Sequence, residues 1–266
     1  RIIGDKSMFS TATVNYHVKS SYPQAFHFDE NGELGALDSP VLEPVQILVQ
    51  DIRDGKMTVN YDSDGITFEK HHSQVQDFSD TVNWREMYEN ELGTLLAEKT
   101  DAKEVIIFDH TIRIDSEIAT RRPARNVHND YSPAGAKQRL IDLVGEHRAS
   151  EISEGHFAFV NLWRPIENPI KTAPLGFIHP DTVKVDDWMH IELIYPDRQG
   201  QILGVAAHKD HRWFYMSHMT PDEVVIFNVY DNRGKTYLAH GAMDLKNDDE
   251  AATPRKSIES RTLVLF

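Results

Sequence analysis

Three side chains of the sequence have the types and the spacing of a metal site. His128 and Asp130 stand two residues apart in the segment VHND, and His240 lies much further along, in TYLAHGAM. Side chains two apart on an extended segment point to the same side, so an imidazole nitrogen and a carboxylate oxygen can reach one ion. A chance His-x-Asp pair and a hydrogen-bonded core histidine are the alternatives that each fragment allows alone.

A candidate anchor for an anion follows His240 along the chain. Arg255 and Ser257 are again two residues apart and would share one face of a strand. A guanidinium can donate two parallel hydrogen bonds to a carboxylate, and the hydroxyl adds a third donor. The pair suits the distal carboxylate of a dicarboxylic acid. A surface arginine paired with Glu259 or Asp244 is the simpler alternative.

Together these residues describe one kind of centre. Two histidines and one carboxylate on one face of a metal leave coordination positions open, which is the arrangement of non-haem Fe(II) oxygenases. Two open positions can chelate the 2-oxo acid group of 2-oxoglutarate, a third can take dioxygen, and Arg255 would bind the far carboxylate. The pattern therefore predicts Fe(II), 2-oxoglutarate and dioxygen, with His128, Asp130 and His240 as metal ligands.

The elements that must position these residues are mostly strands. Amphipathic spacing predicts helices over 80–99, with Asp77 or Ser79 as its cap, and over 134–146. Short apolar runs separated by turn residues predict strands over 45–51, 65–68, 103–114, 157–163, 175–178, 190–195, 202–207, 212–217, 223–230, 236–243 and 257–266. Many short strands behind two helices indicate a mainly β fold, a double-sheet jelly roll with flanking helices. Strand and helix do not alternate, which argues against a doubly wound parallel sheet.

Composition narrows the function further. The 266 residues contain no cysteine, so thiolate metal sites and disulfides are excluded. The formal net charge of −14 disfavours nucleic acid and anionic membranes as partners. There is no long apolar run and no pattern of a signal peptide, so we expect a cytoplasmic protein with a small-molecule substrate. We expect one oxygenase domain over 8–266, with a region 8–125 packed on a jelly-roll core 105–266, and set residues 1–7 aside.

At this point the chain resembles a known group, the 2-oxoglutarate/Fe(II)-dependent dioxygenase superfamily. More narrowly, it is similar to the fungal and bacterial hydroxylase/desaturase family of secondary metabolism that includes cephem 7α-methoxylase-like proteins. The resemblance covers roughly residues 10–266. The segments that carry it are NVHNDYSPAGAKQRL (126–140), FVNLWRPIENPI (159–170), PLGFIHPDTV (174–183), HRWFYMSHMTPDEVVIFNVYD (211–231), AHGAMD (239–244) and TPRKSIESR (253–261).

The resemblance implies a double-stranded β-helix, or jelly roll, with iron at one open end. It implies His128, Asp130 and His240 as ligands, with Arg255 and Ser257 as the cosubstrate anchor. The spacer between His240 and Arg255 is longer than in many members of the superfamily, so Arg261 remains the alternative anchor.

Further residues are candidates for binding the substrate. The resemblance places the strand that carries Asn161 and Arg164 beside the metal. Aromatic side chains that combine a flat ring with a polar atom could stack on a substrate, although core packing is the alternative for each of them. These candidates are Trp213, Tyr215 and Tyr230.

The sequence thus predicts an oxygenase that hydroxylates, desaturates or oxidatively cyclises a small secondary metabolite or an amino-acid-like substrate. A zinc hydrolase on the same three residues is one alternative, but it would have no use for Arg255 and Ser257. A non-catalytic binding protein with a jelly-roll fold is the other.

Overall fold

The structure, a computed structural model, describes residues 8–32, 39–248 and 252–266. The first seven residues, set aside above, lie outside these ranges. Within them the strands are β1 Phe9–His17, β2 Gln24–His27, β3 Leu42–Asp51, β4 Ile66–Lys70, β5 Glu104–Ile114, β6 His128–Asn129, β7 Phe157–Pro165, β8 Leu175–Ile178, β9 Trp188–Ile194, β10 Gln199–Val205, β11 Trp213–Tyr215, β12 Glu223–Asp231, β13 His240–Ala242, β14 Asp244–Leu245 and β15 Lys256–Leu265. The helices are α1 Tyr61–Asp64, α2 Arg85–Thr100, α3 Pro133–Val144 and α4 Glu146–Glu154.

The strands form two sheets. The larger sheet has the order β14-β1-β3-β11-β8-β13-β6-β10-β9-β2, and the smaller has the order β4-β12-β7-β15-β5. Most neighbours are antiparallel, but β11 pairs with β3 and β2 pairs with β9 in parallel. The two sheets face each other across an aromatic core, in which Phe177 of the larger sheet lies 5.1 Å from Phe227 of the smaller one, centroid to centroid. This architecture confirms the predicted jelly roll.

Period-two alternation along the strands decides what each face buries. In β7, Phe159, Asn161 and Trp163 point between the sheets, whereas Leu162 and Arg164 point to the opposite face, where α2 packs. In β1, Ala12, Val14 and Tyr16 are buried in a third cluster behind the larger sheet. Each sheet therefore presents one face to the common interior and at least part of its other face to a separate apolar layer.

The helices differ from the prediction at their ends. α2 begins at Arg85 rather than at residue 80, and Trp84 precedes it with no side-chain cap. The predicted cap Asp77 instead accepts a hydrogen bond from the backbone of Ser79 in a separate turn. The predicted helix 134–146 corresponds to α3, which ends two residues earlier. Gly145, at a positive φ of 85°, separates it from α4, which was not predicted. Among the described residues, none of the helices has the length and apolar character needed to cross a membrane.

The predicted strand 236–243 is shorter in the structure, where only His240–Ala242 pairs as β13. Strands β1, β2, β6 and β14 were not among the predicted strands. β1 and β3 lie in the region 8–125 but join the sheet that contains β6 and β13. The strands of the amino-terminal region thus extend the jelly-roll sheets, whereas its helix α2 packs on the outer face of the smaller sheet.

Candidate metal centre

The two histidines lie on adjacent strands of the larger sheet. β6 and β13 are antiparallel neighbours, and His128 and His240 are directly paired in their register. Each imidazole uses Nδ1 in a hydrogen bond of 2.8 Å to a backbone carbonyl two residues earlier, that of Asn126 or of Leu238. A carbonyl only accepts, so Nδ1 carries the proton and Nε2 keeps its lone pair. Both rings are therefore held in the tautomer that binds a metal through Nε2.

Asp130 follows directly after β6 and completes the group. Its Oδ1 lies 3.4 Å from Nε2 of His128 and 3.4 Å from Nε2 of His240. Two ligand atoms that each bind a metal at about 2.1 Å, with an angle of roughly 90–110° at the metal, lie about 3.0–3.4 Å apart. The observed distances agree with this range. The ligand atoms of the three residues lie within 4.8 Å of one another, the one such group found among the described residues. The donor set of two nitrogens and one oxygen fits Fe(II).

A close backbone approach brings the two ligand strands together. A Cβ added at Gly241 would stand 2.9 Å from the carbonyl oxygen of Asn126, the same oxygen that accepts from His128. Any larger residue at this position would push β13 away from the segment that orients His128. A glycine is therefore required after His240 because the backbone of Asn126 leaves no room for a Cβ. The sequence pattern alone did not reveal this requirement.

The pKa values of Asp130 and His240 are shifted in opposite directions. Burial would raise the pKa of Asp130, but the neighbouring imidazoles of His128 and His240 and the charge of Arg261 outweigh it and hold the pKa well below its ordinary value. Burial would lower the pKa of His240, but the Asp130 carboxylate raises it above the ordinary value. The carboxylate is thus anionic and turned towards cations, as a metal ligand must be.

The opposite sheet holds the second oxygen of the carboxylate. Asn161 of β7 donates from Nδ2 to Oδ2 of Asp130 at 2.7 Å, and Nε of Arg261 lies 3.5 Å from the same oxygen. Asn161 and Arg261 are register partners on neighbouring strands. Asn161 is buried and bound to Asp130, although the sequence predicted it as a substrate contact.

The two candidate arginine anchors have different surroundings. Arg261 contacts Asp109 at 2.6 Å and Glu259 at 2.5 Å, so its charge is already neutralised. Arg255 is 3% exposed and donates to Ser257 Oγ at 3.1 Å and to the carbonyl of Ala173 at 2.6 Å. No described carboxylate lies within 4.0 Å of its guanidinium. Of the two, Arg255 has the unmatched charge that an anion would neutralise.

A cavity brings the metal group and Arg255 together. It is lined by Arg113, Ala124, His128, Trp163, Leu175, His240, Ala242, Arg255, Glu259 and Arg261. Trp163 forms one wall, and its ring lies 5.0 Å below the Arg255 guanidinium carbon. Neither Arg113 nor Glu259 was predicted from the sequence to line this cavity. Strand alternation with Ser257 could have indicated Glu259, but Arg113 required the pairing of β5 with β15.

Four predicted substrate contacts lie elsewhere. Arg164 points to the opposite face of β7, where its NH2 group contacts His71 Nδ1 at 2.6 Å. Trp213 and Tyr215 are buried in the cluster behind the larger sheet, where the Trp213 indole donates to the Tyr16 hydroxyl at 2.8 Å. Tyr230 packs against Phe157 at the edge of the central core. None of these four side chains lines the cavity at the metal group.

Comparison with known proteins places the chain in a family. Residues 13–265 match the model of the family described as the oxidoreductase/YMDC permease-like domain. The chain belongs to this family. It is 29% identical to the alpha-ketoglutarate-dependent dioxygenase phiK of a fungal species (Fungal sp.), over 77% of this chain and 79% of that protein. It is also 29% identical to the hydroxylase/desaturase efuI of Hormonema carpetanum, over 83% of each chain.

A solved structure supports the fold. The iron and alpha-ketoglutarate-dependent endoperoxidase NvfI superposes with a TM-score of 0.82 at 23% identity, over 97% of this chain and 98% of that one. The jelly roll predicted from the sequence is therefore shared with NvfI. The predicted resemblance to dioxygenases of secondary metabolism and the predicted oxidoreductase class are confirmed by the family and by these relatives.

Proposed function

We propose that this family member is an Fe(II)- and 2-oxoglutarate-dependent oxygenase whose iron is held by His128, Asp130 and His240. One observation carries the proposal: two imidazoles with Nε2 free and one carboxylate oxygen converge beside an unpaired, buried guanidinium. A zinc hydrolase needs the three converging metal ligands but not the guanidinium beside them. The names of the relatives phiK and efuI support the same chemistry.

When bound, iron and 2-oxoglutarate supply the activation of dioxygen, with conversion of the cosubstrate to succinate and carbon dioxide. The chain's own residues orient these groups. The carbonyls of Asn126 and Leu238 fix the two imidazoles, and Asn161 fixes the carboxylate. Arg255 and Ser257 bind the distal carboxylate of 2-oxoglutarate through charge-assisted hydrogen bonds.

Aromatic side chains exclude water on one side of the centre. The ring of His240 lies 4.8 Å from that of Phe227 and 6.1 Å from that of Phe177, centroid to centroid, and both phenylalanines are fully buried. A dry wall strengthens the interactions between charged groups and protects a reactive centre from side reactions. The open side of the centre faces the cavity, where the substrate and cosubstrate must enter.

The reaction is the oxidation of an unactivated C–H bond of a small secondary metabolite or an amino-acid-like compound, by hydroxylation, desaturation or oxidative cyclisation. Halogenation is disfavoured because Asp130 occupies the position that a halide would need. We further propose that residues 8–266 form a single oxygenase domain that acts in the cytoplasm on a small molecule, without nucleic acid or membrane partners.

The experiment is an assay of succinate formation by the protein loaded with Fe(II) in air, with 2-oxoglutarate and a panel of candidate metabolites. Thermal-shift screening with Mn(II) and 2-oxoglutarate present selects the compounds to assay. We expect at least one compound to raise succinate formation above the level without substrate, and Asp130→Ala to abolish the increase. Oxidation that continues at the full rate without 2-oxoglutarate would overturn the proposal.

A further inference from the structure

A second arginine faces the cavity beside Arg255. Arg113 of β5 is the register partner of Ser257 on β15, so the two side chains stand on the same face of the smaller sheet. Ser257 in turn accepts hydrogen bonds from Arg255, at 3.3 Å from Nε and 3.1 Å from NH2. Arg113, Ser257 and Arg255 therefore form one contiguous group of donors, next to the His128 and His240 rings that line the same cavity.

Like Arg255, Arg113 has no anionic partner. Its NH1 group donates to the backbone carbonyl of Arg122 at 2.8 Å, which orients the guanidinium without neutralising it. Within the described ranges, no carboxylate lies within 4.0 Å of it. The nearby Glu259 carboxylate is already bound by Arg261 at 2.5 Å.

The proximity of the two buried guanidiniums is unfavourable because two like charges repel each other. Burial, followed by the charge of Arg113, lowers the pKa of Arg255 to about 9. Burial also lowers the pKa of Arg113. An anion between two such groups removes this cost, and a carboxylate has about four lone-pair sites with which to accept from both guanidiniums and from a hydroxyl.

We propose that Arg113 is a second anchor for the distal carboxylate of 2-oxoglutarate, which it binds together with Arg255 and Ser257. This inference rests on the proposed function and adds to it a residue that sets specificity for the cosubstrate. Two cations around one carboxylate select a dicarboxylic oxo acid over a monocarboxylic one. The register pairing with Ser257 favours this role over contact with an acidic group on the substrate.

The test compares two oxo acids that differ only at the distal end. 2-Oxopentanoate has the same carbon chain as 2-oxoglutarate but carries a methyl group in place of the distal carboxylate. Binding of each is measured by calorimetry without oxygen, on protein loaded with redox-inactive Mn(II). The variants are Arg113→Gln, Arg255→Gln and, as a matched control, Arg122→Gln, whose half-exposed side chain lies nearby but outside the cavity.

We expect Arg113→Gln and Arg255→Gln each to weaken 2-oxoglutarate binding about tenfold or more, as loss of a charged hydrogen-bond donor implies. Affinity for 2-oxopentanoate should stay unchanged, which would also show that the variants fold and retain the metal. Arg122→Gln should behave as the parent. Arg113→Lys, which keeps the charge, should recover part of the affinity.

Three distinguishable results would contradict either the role of Arg113 or the proposed function. Unchanged 2-oxoglutarate affinity in Arg113→Gln, with a clear loss in Arg255→Gln, would overturn the role of Arg113 while leaving the proposed function intact. Equal loss of both oxo acids in Arg113→Gln would show a general disturbance and would also overturn that role. A parent protein that binds the two oxo acids equally well would overturn the proposed cosubstrate itself.

Discussion

Asn161 donates from Nδ2 to Oδ2 of Asp130 at 2.7 Å, and this contact joins the smaller sheet to the end of a strand in the larger one. The metal group is therefore built from both sheets, although its three proposed ligands all belong to one side. Because Asn161 holds Oδ2 of Asp130, Oδ1 stays turned towards the two imidazoles.

The first prediction concerns this contact. Asn161→Ala removes the donor, so the carboxylate can rotate, and we expect affinity for Co(II) to fall about 10–100-fold. The measurement is a titration followed by the visible absorption of Co(II). Asn90→Ala, at an exposed position on α2, is the control and should bind Co(II) as the parent does. Unchanged affinity in Asn161→Ala would show that Asp130 is oriented without Asn161, by Arg261 and by packing.

The second prediction concerns the proposed carboxylate ligand. Asp130→Ala should abolish succinate formation with any accepted substrate, because one metal ligand and its negative charge are lost. Stability should fall by no more than about 1–3 kcal/mol, since the residue contacts polar side chains rather than a packed apolar core. Circular dichroism and chemical denaturation measure the second part. Asp222→Ala, at an exposed carboxylate, is the control, and turnover retained in Asp130→Ala would refute the ligand assignment.

The third prediction separates the two arginines. Arg255→Lys should raise the 2-oxoglutarate concentration needed for half-maximal binding, because a point charge cannot reproduce the guanidinium fork. Arg261→Lys should instead lower the melting temperature, because Arg261 contacts Asp109, Glu259 and Asp130. Calorimetry and thermal unfolding of both variants provide the comparison. The opposite pattern would transfer the anchor role to Arg261.

The fourth prediction concerns pH. Burial lowers the pKa of His17, next to the segment that orients His128, from 6.5 to about 4. The unfolded chain takes up this proton below pH 6.5 while the folded chain does not, so stability is full above pH 6.5 and is lost as the pH falls towards 4. Between pH 7 and pH 5 the loss from this group is up to about 2 kcal/mol.

Denaturation of a His17→Gln variant at both pH values measures this contribution. The variant should lose less stability than the parent between pH 7 and pH 5, because it has no imidazole to protonate. His147→Gln, at a fully solvated position on α4, should keep the slope of the parent. Equal slopes in the parent and in His17→Gln would mean that His17 does not stay neutral in the fold.

The local pattern of apolar residues was sufficient to predict some of the strands. The predicted strands 103–114 and 223–230 lie within one residue of the observed β5 and β12, because long apolar runs leave few alternatives. β1 was missed although Ala12, Val14 and Tyr16 alternate with polar residues, a signal that the sequence does contain. The bend at Gly145 was missed because the helical spacing of apolar residues continues up to it.

The site was predictable where spacing along one segment determines geometry. His128-x-Asp130 and Arg255-x-Ser257 lie on extended segments, so two-residue periodicity gives their shared direction. The contact of Asn161 with Asp130 and the approach of Arg113 to Ser257 depend on sheet packing and on strand register, which residues distant in the chain do not specify locally. The same limit applies to Trp213 and Tyr215, whose side chains alternate to the far face of the larger sheet.

The most direct test of the central claim is the visible absorption spectrum of the protein with Fe(II) and 2-oxoglutarate in the absence of oxygen. Chelation of iron by the oxo acid gives a weak charge-transfer band in the middle of the visible range. We predict this band for the parent protein with a low concentration of 2-oxoglutarate. The band should be absent when 2-oxopentanoate is supplied at the same concentration, and it should be lost in Asp130→Ala. A parent protein that binds Fe(II) but develops no band at saturating 2-oxoglutarate would contradict the account.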